Sequence, residues 1–167
     1  MIKNVSVVGA GTMGSGIALA VALKNYPVIL CDINAAVIAT AKQAIEKNLL
    51  YLLNKEKINA AEKEVIEQCI SFTSNLEDCK ADLVIEAVVE KLSVKESIFK
   101  QLASLNDAGT ILASNTSSLS ISDIQENISN PERVLGMHFF NPANIMKLVE
   151  VVKGNQTTED TMQAVKQ

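Results

Sequence analysis

A β-branched apolar run that leads into a glycine-rich turn constrains the fold of this chain more than any other feature. Residues 5–8 read Val-Ser-Val-Val, and the turn that follows places glycines at Gly9, Gly11 and Gly14. Apolar residues then recur at three- and four-residue steps, at Met13, Ile17, Ala20, Val21 and Leu23. This order of patterns predicts a strand, a tight turn and a helix.

A second apolar run, residues 27–31, ends on Asp32, 18 positions after Gly14. Gly9 permits the tight turn, Gly11 lets a pyrophosphate approach the backbone, and Gly14 lets helix and strand pack closely. The N–H groups at the start of the helix then face the phosphates. Asp32 can accept both ribose hydroxyls of the adenosine, and its charge repels a 2′-phosphate. The pattern therefore predicts NAD rather than NADP as the cofactor.

Composition narrows the class of protein further. The 167 residues suffice for one domain, and 48% hydrophobic with only 4% aromatic residues suits an aliphatic α/β core. A net charge of −4 argues against a nucleic-acid partner. Three cysteines without metal-ligand spacing and a single histidine predict no metal site, with Cys31 as a buried free thiol. With no run long enough to span a membrane and no room for a leader before the first strand, we expect a cytoplasmic protein.

Strands and helices alternate along the rest of the chain. Strands are expected at residues 2–8, 28–32, 70–73, 81–89, 110–114, 134–140 and 147–153. Helices are expected at residues 34–53, 59–67 and 94–105, with a short one from residue 120. The alternation predicts a Rossmann-like α/β fold, a doubly wound and mostly parallel sheet, with a helical hairpin inserted at about residues 34–67.

The C-terminal residues do not fit this alternation. Residues 157–167 have helical composition, with Met162 and Val165 as an incipient apolar face and little to pack against. We therefore expect a dinucleotide-binding domain at residues 1–153, a boundary near Gly154, and residues 154–167 as a linker and the first helix of a further domain. An exposed face of this kind predicts self-association of the 167-residue chain.

A second cluster of polar residues lies in the last third of the chain. Residues 114–118 form a Ser/Asn/Thr run at the carboxyl end of a buried strand, the edge where ligands bind in open α/β sheets. His138 lies on an apolar strand and Glu150 on the next one. A lone histidine is more often a core residue, but pairing of these strands would bring a carboxylate to it. Such a pair can take the proton of a secondary alcohol while a nicotinamide receives the hydride.

These residues also suggest other functions. Serine, histidine and an acid also make up a hydrolase triad, but the chain has no G-x-S-x-G elbow, and the glycine turn would then have no role. Ser118 and Ser120 fit helix capping better than catalysis. Two rivals stay open: a dehydrogenase of 3-hydroxy acids that uses a lysine as base, and a nucleotide-binding module without turnover.

Five motifs together resemble one family. They are GAGTMG (residues 9–14), ADLVIEAV (81–88), ASNTSS (113–118), HFFNP (138–142) and MKLVEV (146–151). The chain resembles the NAD-binding domain of the L-3-hydroxyacyl-CoA dehydrogenases, especially the bacterial 3-hydroxybutyryl-CoA dehydrogenases. The resemblance implies reversible, NAD-dependent oxidation of a (3S)-3-hydroxyacyl-CoA to the 3-oxoacyl-CoA in fatty acid or butanoate metabolism. It also implies a homodimer and an all-helical second domain, which these residues do not include.

The resemblance also assigns roles to residues. His138 would be the general base, Glu150 its orienting partner, and Ser117 a contact of the substrate oxygen. The implied cofactor contacts are Gly9, Gly11, Thr12, Met13, Gly14, Asp32, Glu90, Lys95, Asn115, Ser117 and Asn141. The helical hairpin would lie beside the CoA moiety, where Lys55 and Lys57 either meet phosphates or form a solvated turn.

Overall fold

The computed structural model describes residues 1–166 and joins their strands in one sheet. The strands are β1 (Val5–Val8), β2 (Val28–Cys31), β3 (Ile70–Thr73), β4 (Leu83–Glu86), β5 (Ile111–Ser114), β6 (Val134–Phe139) and β7 (Val149–Lys153). Their order across the sheet is β3-β2-β1-β4-β5-β6-β7, and every neighbouring pair is parallel except β6 and β7. This order confirms the doubly wound, Rossmann-like fold.

The helices connect these strands on both faces of the sheet. They are α1 (Thr12–Ala22), α2 (Ala35–Asn54), α3 (Ala60–Gln68), α4 (Leu92–Leu105), α5 (Ile121–Gln125) and α6 (Glu159–Ala164), with 3₁₀ turns at Leu76–Asp78 and Pro131–Arg133. None of the helices within residues 1–166 is long and apolar enough to cross a membrane. The first strand is shorter than predicted because Val5 pairs with the first residues of both neighbouring strands, Val28 and Leu83.

Alternation along the strands divides the core between the two faces. Val5 and Val7 belong to the cluster that includes the buried residues of α1 and α2, whereas Val8 belongs to the cluster under α4 and α5. Side chains of a strand point alternately to opposite faces, so each parallel strand must be apolar on both. Cys31 lies in the second cluster as a buried free thiol, as predicted.

The predicted helical hairpin is confirmed, and its helix starts are explained by capping. The Asn34 side chain accepts a hydrogen bond from a backbone N–H of α2, and Asn59 forms a reciprocal capping box with Glu62 at the start of α3. The inner face of α2 packs on the core beside α1 through Ile38, Ala41, Ile45 and Leu49.

The expected exposure of the Met162 and Val165 face is wrong, whereas the domain boundary near Gly154 stays a prediction. Met162 retains only 7% of its accessible surface, and Val165 is partly buried against the same core cluster. The helix is α6 rather than residues 157–167, and Gln167 lies outside the described residues. The Met162 and Val165 face therefore offers no exposed surface for the predicted self-association.

Hydrogen bonds between distant parts of the chain explain this packing. Thr157 Oγ1 donates to the Val134 carbonyl at 2.6 Å and accepts from the Gln125 amide at 3.0 Å. Thr161 Oγ1 donates to the Glu132 carbonyl at 2.9 Å. These bonds connect α6 and the turn before it to the first residue of β6 and to the 3₁₀ turn that precedes this strand. Helix α6 therefore lies on the sheet.

Truncating Met162 tests whether α6 is part of the folded domain. Met162→Ala should lower the free energy of unfolding by roughly 2 kcal/mol or more, because it leaves a cavity in the core. Met146 is 45% exposed, so Met146→Ala is the matched control and should change stability by less than about 0.5 kcal/mol. Chemical denaturation measures both values. Equal losses in the two variants would contradict the packing of α6.

Candidate active site

The three glycines of the β1–α1 turn have different surroundings. Gly9 has a φ of +100°, and a Cβ there would lie 2.6 Å from the Ala87 carbonyl oxygen. A Cβ on Gly14 would lie 1.7 Å from the Gly9 carbonyl oxygen. A Cβ on Gly11 would meet no described atom within 4 Å. Gly9 and Gly14 are thus required by the backbone itself, whereas Gly11 leaves open the space at the start of α1.

Asp32 follows β2 and is bonded to the glycine turn. Its Oδ2 accepts from the Ala10 N–H at 2.9 Å, and its Oδ1 accepts from the Asn34 N–H at 2.9 Å. A carboxylate has about four lone-pair positions, so both oxygens keep capacity for the hydroxyls of a ribose. Asp32 therefore stiffens the turn and still presents an acceptor beside it.

His138 and Glu150 face each other across the antiparallel strands, as predicted. The register pairs the two residues directly, and His138 Nδ1 lies 3.0 Å from Glu150 Oε2. The His138 side chain is 23% exposed, and its ring centroid lies 4.7 Å from that of Phe140. With the proton on Nδ1 donated to Glu150, the Nε2 lone pair is free to accept a proton.

The loop after β5 connects these residues to the rest of the sheet edge. Asn115 Oδ1 accepts from the Phe139 N–H at 2.9 Å, directly after His138. The backbone N–H of Ser117 donates to Glu90 Oε1 at 3.0 Å. Ser117 itself is exposed, and its hydroxyl makes no hydrogen bond to the residues that the structure describes. Asn115 thus positions the histidine strand, while the Ser117 hydroxyl is available to a ligand.

Lys95 lies inside a buried cluster of charged groups. Its Nζ lies 2.7 and 2.9 Å from the two carboxylate oxygens of Glu86 and 3.2 Å from Glu90 Oε2. The side chains of Lys95 and Glu86 are each 1% exposed. Ser114 Oγ donates to Glu86 at 2.6 Å. Direct contact of Lys95 with the cofactor stays a prediction, since its ammonium group is already held by two carboxylates.

Sequence reasoning missed Glu86, although a signal existed. A carboxylate that ends an otherwise apolar buried strand needs a partner, and Lys95 follows nine positions later.

Partial burial alone would raise the pKa of the Glu90 carboxyl. The hydrogen bonds from Thr116 and Lys95, the charge of Lys95 and the Ser117 N–H outweigh this effect and hold that pKa below its ordinary value. Glu90 is therefore charged at neutral pH.

A groove of about 620 Å³ lies between the first two helices and the segment after β6. Gly11 and Thr12 line one part of it, and Asn141 lines another. Asn144 Nδ2 donates across the groove to Asn48 Oδ1 at 3.3 Å, a contact that the sequence did not predict. The groove thus joins the glycine turn to the helical hairpin, whose turn carries exposed Lys55 and Lys57.

A glycine turn between β1 and α1, with an acidic residue after β2, defines a dinucleotide-binding domain on this fold. Comparison with known proteins identifies it further. Residues 4–167 match the family model described as 3-hydroxyacyl-CoA dehydrogenase, NAD binding domain. The chain belongs to this family, and its cofactor is NAD.

Named relatives agree with this assignment. The 3-hydroxybutyryl-CoA dehydrogenase of Clostridioides difficile is 44% identical over 97% of this chain and 58% of its own length. The 3-hydroxyadipyl-CoA dehydrogenase of Escherichia coli K12 is 43% identical over 97% of this chain and 34% of its own length. The crystal structure of (S)-3-hydroxybutyryl-CoA dehydrogenase from Ralstonia eutropha superposes with a TM-score of 0.96 at 40% identity, covering 99% of this chain and 59% of that one. The chain therefore spans about a third to three-fifths of these relatives.

Alanine substitutions separate the two kinds of glycine in the turn. Gly14→Ala should lower the free energy of unfolding by about 1–3 kcal/mol, because its Cβ would collide with the Gly9 carbonyl. Gly11→Ala should leave stability nearly unchanged but weaken NADH binding about tenfold or more, because its Cβ occupies space that the pyrophosphate needs. Denaturation and NADH fluorescence titration measure the two effects.

Gly109 provides the control for these substitutions. A Cβ at Gly109 also meets no described atom within 4 Å, and the residue lies far from the glycine turn, before β5. Gly109→Ala should change neither stability nor NADH affinity. Normal NADH binding by Gly11→Ala would contradict the assignment of the pyrophosphate site to this turn.

Proposed function

We propose that this protein catalyses the reversible, NAD-dependent oxidation of a (3S)-3-hydroxyacyl-CoA to the 3-oxoacyl-CoA, with His138 as the general base. The observation that carries the proposal is the hydrogen bond between His138 Nδ1 and Glu150 Oε2 at the carboxyl edge of the NAD-binding sheet. The lysine-base alternative has less support, because the carboxylate of Glu150 is paired with His138 and because Lys95 is buried and held by Glu86.

The chemistry follows from the orientation of the imidazole. His138 Nε2 takes the proton of the 3-hydroxyl group while the C3–H bond breaks, and the C–O bond gains double-bond character. NAD, when bound, would supply the acceptor for the hydride that leaves C3. Glu150 holds the tautomer that leaves Nε2 free and stabilises the imidazolium that forms. We assign the free hydroxyl of Ser117 a hydrogen bond to the reacting oxygen or to the cofactor amide.

The substrate class rests on the relatives and on the groove. Relatives named for 3-hydroxybutyryl-CoA and 3-hydroxyadipyl-CoA dehydrogenases share a 3-hydroxyacyl thioester of CoA as their substrate, with different acyl groups. The groove lies between α1 and α2, from Asn141 to Asn48, and gives a long thioester a path along the first helix of the hairpin. Lys55 and Lys57, exposed in the turn of the hairpin, either contact the CoA phosphates or stay in solvent.

Substitution of the catalytic pair tests the proposed chemistry. His138→Gln should lower kcat about 10²–10⁴-fold, because the amide cannot take up the proton. Glu150→Gln should lower kcat as well, because the tautomer and the imidazolium lose their support. The Kd for NADH should change little in both variants, since neither residue adjoins the glycine turn. The assay follows NADH absorbance with acetoacetyl-CoA, in a form of the protein that turns over.

Near-normal kcat in either variant would contradict the assigned roles. Ser118→Ala is a suitable control, because Ser118 lies next to Ser117 in the loop after β5, its hydroxyl makes only a long contact of 3.4 Å to Glu90, and we assign it no role in catalysis.

A nucleotide-binding module without turnover remains the second candidate for the 167-residue chain itself. The chain covers 58% of the Clostridioides difficile relative, and apolar side chains next to the groove are exposed, with Ile145 at 64% and Leu148 at 57%. These side chains, rather than Met162, are the apolar surface that a further domain or a second subunit would cover. We infer a homodimer for a protein of the relatives' full length.

The isolated 167 residues should bind NADH but turn over acetoacetyl-CoA slowly. Poor positioning of a substrate can remove several kcal/mol of barrier reduction, so we expect kcat/KM to be at least about 10²-fold below that of a full-length relative. Fluorescence titration measures the binding, and NADH absorbance measures the rate. Equal turnover by these 167 residues as a monodisperse monomer would eliminate the second candidate.

A further inference from the structure

The charges at the end of β4 do not cancel. Glu86 and Lys95 are buried and bonded to each other through both carboxylate oxygens, at 2.7 and 2.9 Å. Glu90 shares the same ammonium group at 3.2 Å, and its side chain is 38% exposed. Two carboxylates and one ammonium leave one net negative charge. Because the buried pair is already matched, that charge reaches the surface at Glu90.

Glu90 is fixed in place rather than free to turn away. Its Oε1 accepts hydrogen bonds from the hydroxyl of Thr116 and from the backbone N–H of Ser117. These donors belong to the loop after β5, so the carboxylate bridges the ends of two adjacent strands. The position of the negative charge is therefore set by the sheet.

The path of the dinucleotide brings its nicotinamide end to this position. Asp32 marks the adenosine side at the end of β2, and the start of α1 takes the pyrophosphate. The other half of the molecule must then lie on the far side of β1, over the ends of β4 and β5. The segment that leads to Glu90 touches the turn directly: Ala87 N–H donates to the Val8 carbonyl at 2.7 Å, and Gly9 packs on the Ala87 carbonyl.

Oxidised and reduced NAD differ in charge only at the nicotinamide ring. The ring of NAD⁺ carries a positive charge, and the ring of NADH is neutral, whereas the riboses, pyrophosphate and adenine are the same. We propose that Glu90 tunes the preference of the site between the two forms, because its net negative charge stabilises the oxidised ring relative to the reduced one. This inference rests on the NAD site of the proposed function but not on the role of His138.

Beyond the buried pair, the other charged groups that the structure describes at this edge neither supply this negative charge nor form an ion pair with Glu90. Glu150 is 55% exposed but points its carboxylate at His138 on the outer strands. Lys91, next to Glu90 in the chain, is exposed and makes no ion pair within the described residues. Glu90 is the carboxylate that both bridges β4 and β5 and reaches the surface.

Removal of the charge with retention of the shape tests the proposal. Glu90→Gln keeps an acceptor oxygen for Thr116 and Ser117 but removes the negative charge. The ratio of the Kd for NAD⁺ to the Kd for NADH should rise about 3- to 10-fold, as expected for a unit charge acting near a half-exposed site. Calorimetric titration with each form of the cofactor gives the ratio without any turnover.

Two further variants separate charge from structure. Glu90→Asp keeps the charge, so its ratio should stay closer to that of the unaltered chain than the ratio of Glu90→Gln. Glu64 is exposed on α3, the helix that precedes the edge strand β3, and Glu64→Gln should leave the ratio unchanged. A folded Glu90→Gln variant with an unchanged ratio would overturn the proposal, as would an equal shift in Glu64→Gln.

If Glu90→Gln does not fold, the unaltered chain supplies the test. Raising the salt concentration from about 0.05 to 0.5 M screens the carboxylate, so the same Kd ratio should rise. A ratio independent of salt would then overturn the proposal. Failure of both cofactor forms to bind would overturn it together with the NAD site, whereas near-normal kcat in His138→Gln would contradict only the role of His138.

Discussion

The contact of the Gly9 turn with three other parts of the chain determines the geometry of the site. The turn ends β1, its carbonyl lies against α1 where only Gly14 fits, and it packs on the Ala87 carbonyl as the chain leaves β4. Asp32 adds a hydrogen bond to Ala10 within the turn. Helix, sheet and the neighbouring strand ends are therefore positioned by one short stretch of backbone, and the groove and the charged cluster lie on either side of it.

The cluster beyond β4 shows how a polar site is supported inside an apolar sheet. A buried carboxylate is costly unless it is paired and hydrogen-bonded, and Glu86 is both, with Lys95 and Ser114. Lys95, held by Glu86, also contacts Glu90 and so helps to position its carboxylate. Removal of either Glu86 or Lys95 would leave the charge of the other buried without compensation. The loops after β4 and β5 therefore depend on both residues.

Sequence patterns predicted the features that depend on local order along the chain. The alternation of strands and helices and the helical hairpin follow from periodicity and capping residues, and the contact of His138 with Glu150 follows once the two consecutive strands pair. The burial of Met162 could not be predicted, because it depends on hydrogen bonds from Thr157 to residues more than 20 positions away. The contact between Asn48 and Asn144, 96 positions apart, could not be predicted either, because neither residue carries a local signal for it.

The antiparallel pairing of β6 with β7 sets the contact of His138 with Glu150 independently of the segment that connects the two strands. His138 meets Glu150 through the ladder register, which is also held by Gly136 packing directly on Val152. The connecting residues 140–148 take no part in that ladder, and residues 141–145 of the same segment line the groove. Insertions or exchanges in this segment can therefore reshape the groove while His138 and Glu150 keep their alignment. The fold thus lets the shape of a binding surface vary independently of the side-chain pair beside it.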